Sequence, residues 1–181
     1  MVKCEGHYFM LVQGRRALSG VATCLRDLAR AAPHGGVASI EMSGSPDLVC
    51  NNLMCEQLGG ACVCRLARFM DALPQVERIV LAQNNLTVLP DSVWDRTTLR
   101  ELDLSSNLLQ RLPKQIAMLC ELKVLRVADN SISDLPDELF HMASLEEIDV
   151  RGNPLTARDI ERLVQMGDRR ANLRVTIDND Q

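Results

Sequence analysis

Asparagine recurs at positions 84, 107, 130 and 153, always 23 residues apart and always closing the same nine-residue phrase. The phrases read VERIVLAQN (76–84), LRELDLSSN (99–107), LKVLRVADN (122–130) and LEEIDVRGN (145–153). Apolar side chains hold the first, fourth and sixth positions in every one. A fixed period of this length specifies a stack of units that bury their apolar faces against one another, rather than a globule closed around one core.

Within a phrase the fifth residue stands between two apolar neighbours, as in Ile79-Val80-Leu81 or Leu102-Asp103-Leu104, so alternate side chains point to opposite faces of a short strand. The asparagine comes where the chain turns away. Its amide both donates and accepts, so Asn84, Asn107, Asn130 and Asn153 are expected to form a ladder that satisfies backbone groups buried at the turn. After the turn, three copies carry a second phrase: 86–99, 108–122 and 132–145. In each, proline follows leucine, at Pro90, Pro113 and Pro136. Proline offers no donor and has its φ angle preset, so it can open a short helical or irregular return on the opposite side. Val93, Ile116 and Leu139 form one apolar column of that return, and Leu119 and Met142 a second.

The combined pattern L-x-x-L-x-L-x-x-N-x-L-x-x-L-P resembles leucine-rich repeats, and the 23-residue Leu-Pro form is similar to the intracellular Ras-binding-scaffold subgroup. The strict match runs over about 73–155. The resemblance implies an α/β solenoid with about six short parallel strands on its concave face, helical caps at both ends, and a role in binding other proteins. One domain over 1–181 is expected. It comprises a helical N-terminal cap (1–36, with its helix at about 17–32), a degenerate first repeat (37–72), four regular repeats (73–155) and a C-terminal helix and strand (156–181). Residues 37–48 align on 145–156, with Ile40 and Met42 inward and Ser45 in the asparagine place. Helical stretches are expected at 47–58 and 61–72, on either side of Gly59-Gly60. Residues 156–166 have a helical period with Ile160, Leu163 and Val164 inward and Thr156 as cap. Val175 and Ile177 mark a last strand, followed by Asp180 in the asparagine place. These longer units resemble the ribonuclease-inhibitor type of repeat.

A net charge of −4 and a pI near 5.4 argue against general attraction to nucleic acid. The exception is the basic segment 1–36, where Lys3, Arg15, Arg16, Arg26 and Arg30 outnumber Glu5 and Asp27. No apolar run reaches the roughly 18 residues a membrane span needs, and Tyr8 to Val12 is too short for a secretory signal core. Seven cysteines, an odd number, fit free thiols in a reducing compartment better than a completed disulfide set. A cytoplasmic location is therefore expected, with a mitochondrial or ciliary complex as the alternative.

The repeat register identifies the side chains that face out from the concave strands. At the third position stand Ser39, Arg78, Glu101, Val124, Glu147 and Arg174; at the fifth, Glu41, Val80, Asp103, Arg126, Asp149 and Thr176. Arg78, Val80, Glu101, Asp103, Val124, Arg126, Glu147 and Asp149, with Arg151 beside them, form the candidate partner-binding face. Opposite charges in Arg78/Glu101 and in Asp103/Arg126/Asp149 are expected to pair across neighbouring strands, at about 0.2–1 kcal/mol each. On the convex side Arg96 occupies the column of Leu119 and Met142, and is expected to bend out to water along its methylenes. An exposed Trp94 beside it would make the two a second candidate contact, since tryptophan and arginine are enriched at such sites.

Chemistry has little to work with. Cys50, Cys55, Cys62 and Cys64 lie within fifteen residues, but C-x4-C-x6-C-x-C is not a zinc-knuckle spacing, and buried inert thiols are expected rather than a metal site. Cys120 falls in a small-residue slot. His7, His34 and His141 are scattered, no phosphate-binding loop is present, and an open sheet excludes water poorly, so no catalytic residues and no cofactor are expected. The expected function is that of a non-catalytic adaptor or scaffold binding another protein. The alternative is a fixed subunit of a large assembly, such as a ribonucleoprotein or a ciliary or mitochondrial complex, with 1–36 as the contact.

Overall fold

A computed structural model of the chain describes residues 20–22, 37–45, 48, 66, 67, 70, 73 and 75–178. The third to fifth positions of every phrase form a three-residue strand: β3 (Arg78–Val80), β4 (Glu101–Asp103), β5 (Val124–Arg126) and β6 (Glu147–Asp149). Upstream lie β1 (Gly20–Ala22) and β2 (Val37–Glu41), and downstream β7 (Arg174–Thr176). All seven are parallel and follow one another in chain order in a single sheet. The register is the one the repeat dictates: Ile40, Ile79, Leu102, Leu125, Ile148 and Val175 lie side by side.

The inward fourth and sixth residues of the four regular phrases are almost wholly buried, and Val93, Ile116 and Leu139 meet them from the convex side with no exposed surface. Pro90, Pro113 and Pro136 each stand immediately before a helical turn: α1 (Asp91–Trp94), then 3-10 turns at Lys114–Met118 and Asp137–His141. Their carbonyls accept the N–H three residues on, from Val93, Ile116 and Leu139 at 3.0, 3.1 and 3.0 Å. A missing proline N–H therefore costs the turn nothing.

The asparagine ladder forms. Asn107 Oδ1 accepts the N–H groups of Asn84 (3.0 Å) and Leu86 (2.9 Å) in the preceding coil. Its Nδ2 donates back to the carbonyls of Leu81 (2.9 Å) and Leu104 (2.8 Å). Asn130 and Asn153 repeat the arrangement one and two coils on, toward Leu109 and Leu104, and toward Ile132 and Val127. At the degenerate repeat, Asn84 Oδ1 reaches the N–H of Ser45 at 2.8 Å. One step before each asparagine place the backbone is left-handed, at Gly44, Gln83, Ser106, Asp129 and Gly152, with φ between 54 and 65°. That twist turns the chain out of the strand and aims the following amide into the stack.

The two ends depart from expectation in detail. Gly20–Ala22, inside the segment expected to be helical, is instead a strand parallel to β2. The open edge of β2 carries backbone donors and acceptors that a strand can pair and a helix cannot. The rest of 17–32 lies outside the described residues, as does most of 47–58. Of 61–72, Leu66, Ala67 and Met70 are helical, with Leu66 and Met70 buried. At the other end, α2 (Ala157–Arg169) begins at the Thr156 cap, whose hydroxyl accepts the Asp159 N–H at 3.3 Å. Its buried stripe is Asp159, Leu163 and Met166. Val164, expected inward, is 44% exposed. Buried Asp159 turns the helix this way by accepting the Leu135 N–H at 3.1 Å. Asp180 lies outside the described residues.

Candidate interaction surface

The third and fifth residues of each phrase stand on the concave face in two straight columns, Ser39-Arg78-Glu101-Val124-Glu147-Arg174 and Glu41-Val80-Asp103-Arg126-Asp149-Thr176. The structure thus brings together eight of the nine residues singled out for this face on the strands themselves, with Arg151 just past β6. Strand spacing of about 4.8 Å lets long side chains reach across. Arg78 bonds Glu41 on one side and Glu101 on the other, its Nε to Glu101 at 2.9 Å. Arg126 reaches Glu101 at 2.8 Å and Glu147 at 2.9 Å. The result is one alternating chain, Glu41-Arg78-Glu101-Arg126-Glu147, running over five adjacent strands.

The pairing expected among Asp103, Arg126 and Asp149 does not form. Both aspartates fold back on their own backbone: Asp103 accepts the Ser105 N–H at 3.0 Å, and Asp149 the Arg151 N–H at 3.3 Å. Their short side chains are committed to the turn, whereas glutamates one column over have the reach to meet Arg126 diagonally. Burial disfavours the Arg126 charge, but its hydrogen bonds to Glu101 and Glu147 outweigh this and raise its pKa. Asp149 is gripped by Arg151, Nε to Oδ1 at 2.9 Å and Nη2 to Oδ2 at 2.7 Å. That bond holds its carboxyl below the usual carboxylate range despite partial burial.

The convex candidate is overturned. Trp94 is 3% exposed and belongs to the core. Its return is a turn of α-helix, which advances about 100° per residue against 120° in a 3-10 turn, so the residue after Val93 stays on the inner side. In the 3-10 returns the equivalent Ala117 is exposed and Phe140 half-buried. Arg96 does not bend out to water. Its Nε donates to Ser92 O at 2.9 Å and its Nη1 to Leu73 O at 3.4 Å. Arg170, in the same column one unit after Met142, does likewise: Nη1 to Met142 O at 2.6 Å and Nη2 to Phe140 O at 3.2 Å. The column therefore holds two solutions, an apolar plug at its middle (Leu119, Met142) and, at either end, an arginine that bonds a carbonyl of the unit before, Arg96 also bonding one in its own return. Sequence reading missed this role: Arg96 stood out in its column, but Arg170 lies 28 residues after Met142, off the 23-residue period, and only the structure aligns the two.

Other singled-out residues carry less. His141 is exposed, with Nδ1 2.9 Å from Asp137 O. Cys120 is exposed and free. The remaining six cysteines, including Cys50, Cys55, Cys62 and Cys64, and the histidines His7 and His34 lie outside the described residues. Among the described residues no helix is long and apolar enough to cross a membrane.

The leucine rich repeat family model matches residues 97–155. A leucine-rich-repeat protein of Leptospira interrogans has a similar structure, with a TM-score of 0.51 at 28% identity over 59% of this chain and 26% of that one. InlP of Listeria monocytogenes shares the fold, with a TM-score of 0.50 at 23% identity over 67% of this chain and 36% of that one. The chain thus spans only about a quarter to a third of the length of these solved proteins. No curated protein sequence matches it.

Proposed function

We propose that this leucine-rich-repeat protein is a non-catalytic interaction module, an adaptor or scaffold that holds another protein against its concave strands. Leucine-rich repeats generally serve protein–protein contact, and one observation supports that use here: the Glu41-Arg78-Glu101-Arg126-Glu147 chain is fixed across five strands before any partner arrives. Side chains already held in place lose little rotamer freedom on binding, and an alternating row of charge favours one register and penalises others. Half-buried Val80 and Val124 sit among the charges as the apolar points a partner can cover.

The test begins with capture of a partner by the intact chain and its identification by mass spectrometry, followed by titration calorimetry. Arg126→Glu is a poor probe, because it would set three carboxylates together and lower the melting temperature by itself. Val124→Lys is better: it stands between Glu101 and Glu147 in the register, so the added cation is welcome to the fold and obstructs only a docked surface. Affinity should fall by about tenfold or more, with the melting temperature unchanged. Equal affinity for the variant would place the contact on the flanks or elsewhere.

A further inference from the structure

We infer that the groove between the 3-10 returns Lys114–Met118 and Asp137–His141, on the convex side, is a second binding site, shaped for an arginine side chain carried by another protein. The groove has a volume of about 370 Å³. Its hollow has a cause in the repeat. Phe140 holds the matching place one unit on and is half-buried, whereas Ala117 contributes a single methyl group there and leaves room. The floor is apolar: Leu119 and Met142 are 0% and 6% exposed, and Ala117 and Ala143 stand open to solvent beside them. An apolar hollow with a few polar groups at its rim is the ordinary form of a site for a small ligand or a single side chain.

Two side chains decide what fits. Glu138 and His141 both line the groove, and they are three apart in a 3-10 turn, where side chains at that spacing eclipse, so they share one rim. Glu138 Oε2 is buried with no hydrogen-bond partner among the described residues. Its Oε1 meets Lys114 at 3.9 Å, a loose contact with a side chain that is 82% exposed. A carboxylate half stripped of water gains from a cation that brings its own donors. Arg162 is committed elsewhere, bonded to Asp137 at 2.6 Å and stacked over the Phe140 ring. His141 gives its Nδ1 proton to Asp137 O at 2.9 Å, since a carbonyl can only accept, and the neutral ring keeps Nε2 as an acceptor. The rim thus supplies an anion and acceptors, and the floor supplies apolar surface. Arginine answers both. Its methylenes cover Leu119 and Met142, and its guanidinium offers several N–H donors in a fixed fork, where lysine offers a point charge.

Titration of the isotope-labelled intact chain with the peptide acetyl-Ala-Arg-Ala-amide, followed by NMR, tests this. Saturable shifts are expected in the amide signals of 117–120 and 138–144 at millimolar peptide. The citrulline peptide, equal in shape but uncharged, should bind roughly tenfold more weakly, and Glu138→Gln should weaken the arginine peptide to a similar degree. Ala117→Phe puts into the hollow the ring that the next unit already carries as Phe140, so it should abolish binding while circular dichroism still shows a folded chain. Any of five results would overturn the proposal: no shifts, equal binding of the citrulline or the lysine peptide, shifts scattered over carboxylates elsewhere on the surface, binding indifferent to Ala117→Phe, or the same shifts on concentrating the chain alone, which would give the groove to a second copy. Val124→Lys should leave peptide binding unchanged, so failure here is separate from failure of the concave-face reading.

Discussion

Asn107 carries more of this fold than its size suggests, because one buried amide closes four backbone groups spread over two coils. Asn107→Ala would leave three of them, the Asn84 and Leu86 N–H groups and Leu81 O, without a side-chain partner in a site that is 4% exposed, while Leu104 O keeps its bond from Asn130 at 3.0 Å. At about 1–3 kcal/mol for each buried group left unpaired, partly relieved by entering water, we expect a loss of about 3 kcal/mol in urea unfolding. A loss below about 1 kcal/mol would show that the ladder is ornamental. The second residue-scale prediction concerns acid. Arg151 lowers the Asp149 pKa, so this ion pair stabilises the fold above the ordinary aspartate range near about 3.9, and its contribution disappears as pH falls through the lowered folded-state value. Arg151→Gln should therefore lower stability at neutral pH and converge on the parent protein in strong acid. A difference that persisted undiminished in acid would mean that Arg151 acts by packing alone. The left-handed backbone at Gln83, Ser106 and Asp129 was hidden from sequence reading, since none of the three is glycine.

At the scale of elements, the strands were legible because period-two alternation and the asparagine marked both their bounds and their register. The helices were less so. The stripe Ile160, Leu163 and Val164 has an acceptable helical spacing, yet α2 buries Asp159, Leu163 and Met166 instead. The deciding interaction is polar: Asp159 is drawn inward by the Leu135 N–H, and hydrophobicity alone gives no hint of it. Arg162 completes the docking from the helix flank, with its guanidinium 3.8 Å above the Phe140 ring and bonded to Asp137 at 2.6 Å. Thermal melts separate the two stripes. Leu163→Ala should cost about 2–5 kcal/mol, whereas Val164→Ala should fall within about 0.5 kcal/mol of the parent. Equal losses would indicate that the helix packs by the other face.

For the whole molecule, the relevant fact is that each unit touches its neighbours and little else, so stability is close to a sum of units and interfaces. Trp94, buried at the return between β3 and β4, is a built-in reporter of that stack. Its emission should be blue-shifted in the folded chain, move red on unfolding together with the far-ultraviolet dichroism, and stay unchanged when a partner occupies the concave face. Noncoincident transitions would show the ends melting apart from the middle. The sequence by itself determined the parallel order of β2 to β7, the columns on the concave face and the asparagine ladder, because an exact repeat forces equivalent residues into equivalent places. Only the tertiary structure decided that Trp94 lies inside, that Arg96 and Arg170 grip carbonyls, that Arg126 prefers Glu101 and Glu147 to the aspartates beside it, and that a strand precedes β2. Those choices depend on side-chain reach, on the pitch of each return and on which backbone groups remain unpaired at the ends. A one-dimensional pattern of apolar residues contains none of these.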